Sequence, residues 1–273
     1  MRLSSFALRL AIAAAVTAPM ARASAQRDEK TSPFKWSSQV ASGRWVNVNN
    51  VNGRITVGAT SGSMVEVTAV KRWTTGNPDD VRIEAKKDGE DVVICALYKD
   101  QTTCNDDHHG SRRGRRWNDR WSNDDDDVVV DFTVLIPRGT KITAGAVNGA
   151  VVVTGATSDA EISSVNGEVR VETGAGPLRA TTVNGSVHAK LTGESVNTPM
   201  TFSTVNGGVF VEVPGNFGAD VTMTTVNGSL QTDFPMTMQG RIDPHHMTVH
   251  VGAPGGPRIT LTTVNGDLEL RKR

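Results

Sequence analysis

Apolar and polar positions alternate in short runs along most of the chain, and in its second half the runs break at one repeated tripeptide. Aligned on that tripeptide, one unit reads Ile142-Thr143-Ala144-Gly145-Ala146-Val147-Asn148-Gly149-Ala150-Val151-Val152-Val153. The next reads Ala160-Glu161-Ile162-Ser163-Ser164-Val165-Asn166-Gly167-Glu168-Val169-Arg170-Val171, and the last reads Ile259-Thr260-Leu261-Thr262-Thr263-Val264-Asn265-Gly266-Asp267-Leu268-Glu269-Leu270. Each has two arms of period two on either side of Val-Asn-Gly, which reads as strand, bend, strand. The seven bends are Asn52-Gly53, Asn148-Gly149, Asn166-Gly167, Asn184-Gly185, Asn206-Gly207, Asn227-Gly228 and Asn265-Gly266. From Asn148 onward their spacings are 18, 18, 22, 21 and 38 residues, the last close to two periods with one copy missing. A period near 20 means one small unit used repeatedly.

Two all-β architectures fit this pattern. Asn-Gly between alternating strands is a strong hairpin signal, because a type I′ turn needs positive φ at both central residues. An antiparallel meander or sandwich of such hairpins would place Leu261 opposite Leu270 and Thr263 opposite Leu268. The other architecture is a β-solenoid, parallel β-helix-like, in which the chain coils once per repeat and Asn-Gly marks one corner of every coil. Stacked Asn side chains could then bond from coil to coil at the strand spacing of ~4.8 Å. The solenoid is favoured, because a meander does not require one tripeptide at every second turn and a stacked corner does. A lone unit buries too few aliphatic side chains to offset the ordering of its backbone, so only the array is stable.

Upstream, 45–49, 54–57, 64–70, 81–85 and 92–95 also read as strands, punctuated by Asn52-Gly53, Gly76-Asn77-Pro78 and Asp88-Gly89. No run has convincing helical periodicity. The segment 105–127 breaks the alternation: it is rich in Asp, Arg and His, holds no Val, Ile or Leu, and has Trp117 and Trp121 as its only large apolar residues. Such a segment cannot order itself by burial and is expected to be a flexible charged loop between two strands. The resulting division is 1–25, 26–104 as an N-terminal β portion, 105–127 as the loop, and 128–273 as the repeat array.

The first stretch reads as a secretory signal peptide: Arg2 and Arg9, an apolar run, then Ala23-Ser24-Ala25 as a cleavage site. The apolar run is shorter than the roughly 20 residues that span a bilayer, and no later run is apolar enough to be an integral membrane segment. The chain is therefore expected to be exported, to the periplasm, the cell surface or the medium. With 29 Lys+Arg against 29 Asp+Glu, and Arg2, Arg9 and Arg22 lost with the leader, the mature net charge is about −3. That leaves no basic excess for nucleic acid. In an exported protein the isolated pair Cys95 and Cys104 reads as a disulfide.

Candidate chemistry is sparse. The seven corner Asn could be a sugar-binding ladder, but Asn-Gly is also what a positive-φ corner asks for. Asp243-Pro244-His245-His246 with His250 is the densest histidine cluster, and His246 and His250 share a face of an extended strand; it reads as a solvated loop and strand edge more readily than as a metal site. His188 stands alone and reads as exposed. Asp106-Asp107-His108-His109 and 124–127 could gather a cation, but no calcium-loop spacing accompanies them. Arg112-Arg113-Gly114-Arg115-Arg116 lies among Asp residues that weaken its field. Gly-x-Ser-x-Gly, His-Glu-x-x-His and a phosphate loop are absent, so no catalytic residue, metal or cofactor is expected.

Gly43-Arg44-Trp45-Val46-Asn47-Val48-Asn49-Asn50-Val51-Asn52-Gly53, Ile136-Pro137-Arg138-Gly139 and Thr262-Thr263-Val264-Asn265-Gly266-Asp267-Leu268 together resemble a bacterial family of candidate adhesins, exported β-strand-repeat proteins of unknown function. The resemblance implies a β-solenoid-like fold outside the cytoplasm and brings no catalytic residues. It points to a non-catalytic, adhesin-like binding or scaffolding module whose ligand is a protein or polysaccharide of the envelope or surface. A solenoid offers a long flat side whose exposed positions, such as Glu168, Arg170, Ser186, Ser229 and Asp267, can vary without harming the core. A periplasmic accessory or sensory domain is the second reading. A carbohydrate-active β-helix enzyme, by fold analogy alone, is the third.

Overall fold

The computed structural model describes residues 30–99, 104, 127–174, 176–193, 198–235, 245–251 and 256–273. The leader, and all of 105–127 except Asp127, lie outside the described residues. The strands run β1 Lys30–Gln39, β2 Trp45–Asn52, β3 Ile55–Thr60, β4 Met64–Trp73, β5 Val81–Asp88, β6 Asp91–Tyr98, β7 Val129–Pro137, β8 Lys141–Asn148, β9 Val151–Ala156 and β10 Ala160–Asn166. They continue with β11 Val169–Thr173, β12 Leu178–Asn184, β13 Val187–Leu191, β14 Met200–Ser203, β15 Val209–Val213, β16 Ala219–Thr224, β17 Leu230–Thr232, β18 His246–Val251, β19 Arg258–Thr262 and β20 Leu268–Lys272. One turn of 3₁₀ helix, Pro78–Asp80, is the only helix among the described residues. None is long and apolar enough to cross a membrane.

These strands form two ten-stranded sheets. The first has the order β1-β4-β7-β3-β9-β11-β13-β15-β20-β17, and the second β18-β16-β19-β14-β12-β10-β8-β2-β6-β5. The two arms of each Val-Asn-Gly unit lie in different sheets, so the tripeptide is a corner between sheets. Successive coils stack in parallel and in register: Asn166 pairs with Asn148 on one side and Asn184 on the other. The hairpin alternative is thereby excluded. Leu261 and Leu270 do not face each other across a turn but sit in separate sheets.

Period-two alternation sends one set of side chains from each sheet into a thin shared core. In the first sheet the inward column runs Ile55, Val151, Val169, Val187, Val209 and Leu268, all fully buried. In the second, small and large residues alternate along the stack: Ala144, Ile162, Ala180, Phe202. This fills the space between sheets without bulky aromatics at every level.

The last coil is not where the spacing placed it. Among the described residues, the gap of 38 holds the antiparallel strand β18 and no further parallel coil. β19 lies between β14 and β16, and β20 lies between β15 and β17. The C-terminal coil is therefore threaded between two coils made earlier in the chain. Antiparallel strands close both ends: β1 and β4 on the first sheet and β5 on the second at one end, β18 at the other. β1, which the alternation does not mark, is an edge strand carrying Pro33, a residue tolerated only where no ladder bond is needed.

Candidate binding surfaces

The corner ridge and the outward faces of the two sheets run along the stack. The corner is built from bonds between equivalent residues. Each Asn donates from Nδ2 to Oδ1 of the Asn one coil on: Asn148 to Asn52 at 2.9 Å, Asn166 to Asn148 at 2.9 Å, Asn184 to Asn166 at 2.8 Å, and Asn206 to Asn184 at 2.9 Å. Asn265 continues to Asn206 at 2.8 Å, and Asn227 to Asn265 at 2.9 Å. From Asn166 onward the Ser or Thr two before the Asn donates to a glycine carbonyl of the neighbouring coil, as in Ser164 to Gly149, Thr182 to Gly167 and Thr263 to Gly207, each at 2.9 Å.

The glycines are needed for close approach. A Cβ on Gly149, Gly167, Gly185, Gly207, Gly228 or Gly266 would lie between 1.8 and 2.3 Å from the glycine carbonyl oxygen of the adjacent coil. The asparagines themselves do not have positive φ; Lys99 is the only non-glycine that does among the described residues. The positive-φ reading of Asn is therefore wrong. Asn is there because its amide can donate and accept along a stack, and the ladder occupies one donor and one acceptor of each Asn between Asn52 and Asn227, the two ends of the stack.

At the outer end of this ladder the coil formed by β6 and β7 has no Val-Asn-Gly. Instead, Tyr98 donates its hydroxyl to the Asn52 carbonyl at 3.1 Å. Cys95 is joined to Cys104 in a disulfide beside it. Asp127 accepts the backbone N–H groups of Thr74, Thr75 and Gly76 at 2.8, 2.9 and 2.7 Å, which holds its carboxyl far below the usual range.

The outward face of the second sheet is mainly hydroxyl. Thr201, Thr260 and Thr222 are neighbours in one row, and Ser163, Thr181, Ser203, Thr262 and Thr224 in the next. The first sheet is different. One outward row there reads Val152, Arg170, His188, Phe210, Glu269, and the next reads Thr154, Glu172, Lys190, Glu212, Arg271. The second of these alternates in charge along the axis.

His188 and Phe210 are cross-strand neighbours with stacked rings, 4.7 Å apart and 18° from parallel. The Phe210 ring lies over Gly208, where an added Cβ would meet it at 2.6 Å. His188 is thus half-buried against a partner, not the lone exposed histidine that the sequence suggests. Its burial pushes the imidazole pKa down, opposed by Glu168, whose Oε1 lies 3.6 Å from Nε2. Glu168 also pairs with Arg170 at 2.5 Å, and Lys190 with Glu172 at 3.2 Å. Arg170, Glu172, His188 and Lys190 line a depression of about 270 Å³, with Phe210 and Glu212 at one end and Thr154 at the other. A further cleft, of about 530 Å³, lies between β1 and β5 at the capped end.

The histidine cluster is dispersed. His250 Nδ1 lies 2.7 Å from Asp220 Oδ1, and His246 Nδ1 lies 3.0 Å from Thr224 Oγ1, both across the β16–β18 pair. Asp243, Pro244, and the Asp, His and Arg groups of 105–126 fall outside the described residues.

Residues 132–271 match the model of the Toastrack DUF4097 family. The chain belongs to that family. No curated protein matches it. Among solved structures, this Toastrack chain is similar to a candidate cell adhesion protein from Clostridium sporogenes ATCC 15579, at 10% identity, covering 89% of this chain and 100% of that one with a TM-score of 0.50. A candidate adhesin from Bacteroides fragilis NCTC 9343 aligns over 89% and 97% at 10% identity, with a TM-score of 0.37. At such identities the likeness is one of fold, and only the first is close enough to support it.

Proposed function

We propose that this Toastrack protein is an exported, non-catalytic, adhesin-like binding module displayed on the cell surface. On this reading 1–25 is a leader removed on export, 26–104 and 128–273 build one stack, and 105–127 is an excursion from it. Its ligand is a surface polysaccharide, engaged by the outward face of the first sheet. The observation that carries the reading is the row Arg170, His188, Phe210, Glu269 beside the charge-alternating row Glu172, Lys190, Glu212, Arg271. The core and the corner Asn and Gly are occupied in holding the stack together, whereas these outward side chains can vary without disturbing it. Closely set cations and carboxylates suit the hydroxyls of a polyol, and an apolar ring among them suits its C–H faces.

The test is binding of the purified mature protein to surface polysaccharide isolated from producing cells. The triple variant R170A/K190A/F210A on the first sheet should bind at least about tenfold more weakly, a change of about 1.4 kcal/mol. The control T201A/T260A on the second sheet should bind as wild type does. Equal binding by both variants, or none by wild type, would refute the assignment.

A further inference from the structure

Val-Asn-Gly contains one residue that the stack does not use. Asn makes the ladder, Gly permits close approach, and the preceding Thr or Ser reaches a neighbouring carbonyl. The Val faces outward. Val147, Val165, Val183 and Val205 are each 40% exposed, Val264 38% and Val226 58%. They stack on one another along the ridge beside the asparagines. At a strand spacing of ~4.8 Å, six such positions make an apolar strip roughly 25–30 Å long. Any β-former would satisfy the backbone here, and Thr would do so without exposing aliphatic surface.

The ridge is also directional. Every ladder amide points the same way, so the stack ends in the Asn52 N–H at one end and the Asn227 side-chain oxygen at the other. The row flanking the glycines starts with Arg54 near the first end and reaches Asp267 near the second, both exposed. Asp267 is held in place by Ser229, which donates to it from backbone N–H and hydroxyl, each at 2.8 Å.

We infer that the valine ridge is a self-association surface that takes a second copy of this chain in antiparallel orientation about a two-fold axis. Antiparallel pairing sets valine against valine, opposes the two amide ladders, and brings Arg54 of each copy to Asp267 of the other. A two-fold interface must be self-complementary in this way. The parallel arrangement would align the ladders head to head and leave both charges unmatched. The Arg54–Asp267 match fixes the register: the Asn52 coil lies opposite the Asn265 coil, Asn148 opposite Asn206, and Asn166 opposite Asn184. Val165 of one copy therefore meets Val183 of the other. The contact is narrow, at the small end of specific interfaces, so the dimer should be weak and reversible, with a Kd in the micromolar range of about 1–100 µM.

Sedimentation equilibrium of the mature full chain tests this directly. Wild type should dimerise with rising concentration, and V165E/V183E should raise the Kd at least about tenfold while keeping the wild-type circular dichroism spectrum. A second measurement does not depend on the charged variant. After mild oxidation, an equimolar mixture of V165C and V183C should give covalent dimers, and neither variant alone should give them. A wild type that stays monomeric, a V165E/V183E variant that dimerises normally, or a V183C variant that crosslinks to itself would each overturn the inference. The last would indicate a parallel copy or another register.

Discussion

Asn265 donates its side-chain amide to the Oδ1 of Asn206, 59 residues earlier, at 2.8 Å. Asn227, which separates them in sequence, lies one coil further out and donates to Asn265 in turn. The Asn265 coil thus lies inside the stack, one coil short of its end. Leu261, Leu268 and Leu270 of this coil are fully buried between two sets of neighbours. Leu268→Ala should cost about 2–5 kcal/mol. Ending the chain at residue 255 should abolish a single cooperative unfolding transition, since the coil of β16 and β17 would lose its parallel neighbour on each sheet. Thermal unfolding followed by circular dichroism distinguishes this from simple fraying, which would keep one transition at a slightly lower Tm.

The bond from Ser164 to the Gly149 carbonyl has no counterpart one coil earlier, where Ala146 occupies the same position. Ala146→Ser should add that bond to the Gly53 carbonyl and stabilise the fold by about 0.5–1.5 kcal/mol. Thr182→Val, which removes the equivalent bond while keeping shape, should destabilise by a similar amount. Urea titrations of both variants check the two signs together.

Corner glycines and loop glycines should respond differently to alanine. At Gly185 an added Cβ would sit 2.3 Å from the Gly167 carbonyl oxygen, and backbone cannot move aside without unstacking the coil. Gly185→Ala should cost about 3 kcal/mol or more. Gly89 has φ +62 with nothing near its missing Cβ, so Gly89→Ala should cost only the conformational penalty of about 1–2 kcal/mol. Equal losses at the two sites in denaturant titration would contradict the stacking account.

Asp127 makes stability depend on acid. Its carboxylate is held below the ordinary value of 3.8 by the amides of Thr75 and Gly76, then Thr74. A depressed folded pKa contributes stability that is full above the unfolded value and is lost as the pH falls below it. Wild-type Tm should therefore drop as pH falls from about 4 toward 2, and Asp127→Asn should show a shallower fall from a lower neutral-pH Tm. Parallel Tm–pH curves would mean the three amide bonds are not formed in solution.

The repeat was legible because the corner uses identical residues at every level, and only stacking explains that identity. The same identity concealed the order of the last two coils. Asn227 and Asn265 present equivalent corners to Asn206, and the pattern cannot say which one binds there. What separates them is the return strand β18 and the chain that leads from it to β19. Of the first-sheet face, Glu168 and Arg170 were visible as variable outward positions. The His188–Phe210 stack was not, because those residues are 22 apart in sequence and neighbours only once β13 and β15 align. Gly208 was the available signal: it is a glycine where the other units carry Arg, Ala, Glu, Ser or Asp, and it leaves room for the Phe210 ring.

Surface display is the central claim, and labelling of intact producing cells with a membrane-impermeant amine-reactive biotin tests it most directly. Lys30, Lys35, Lys87 and Lys272 are exposed and would react wherever the reagent reaches them. The account predicts labelling of this protein on intact cells while a periplasmic control stays unlabelled. Labelling only after the envelope is opened would contradict it and place the protein's ligand inside the envelope.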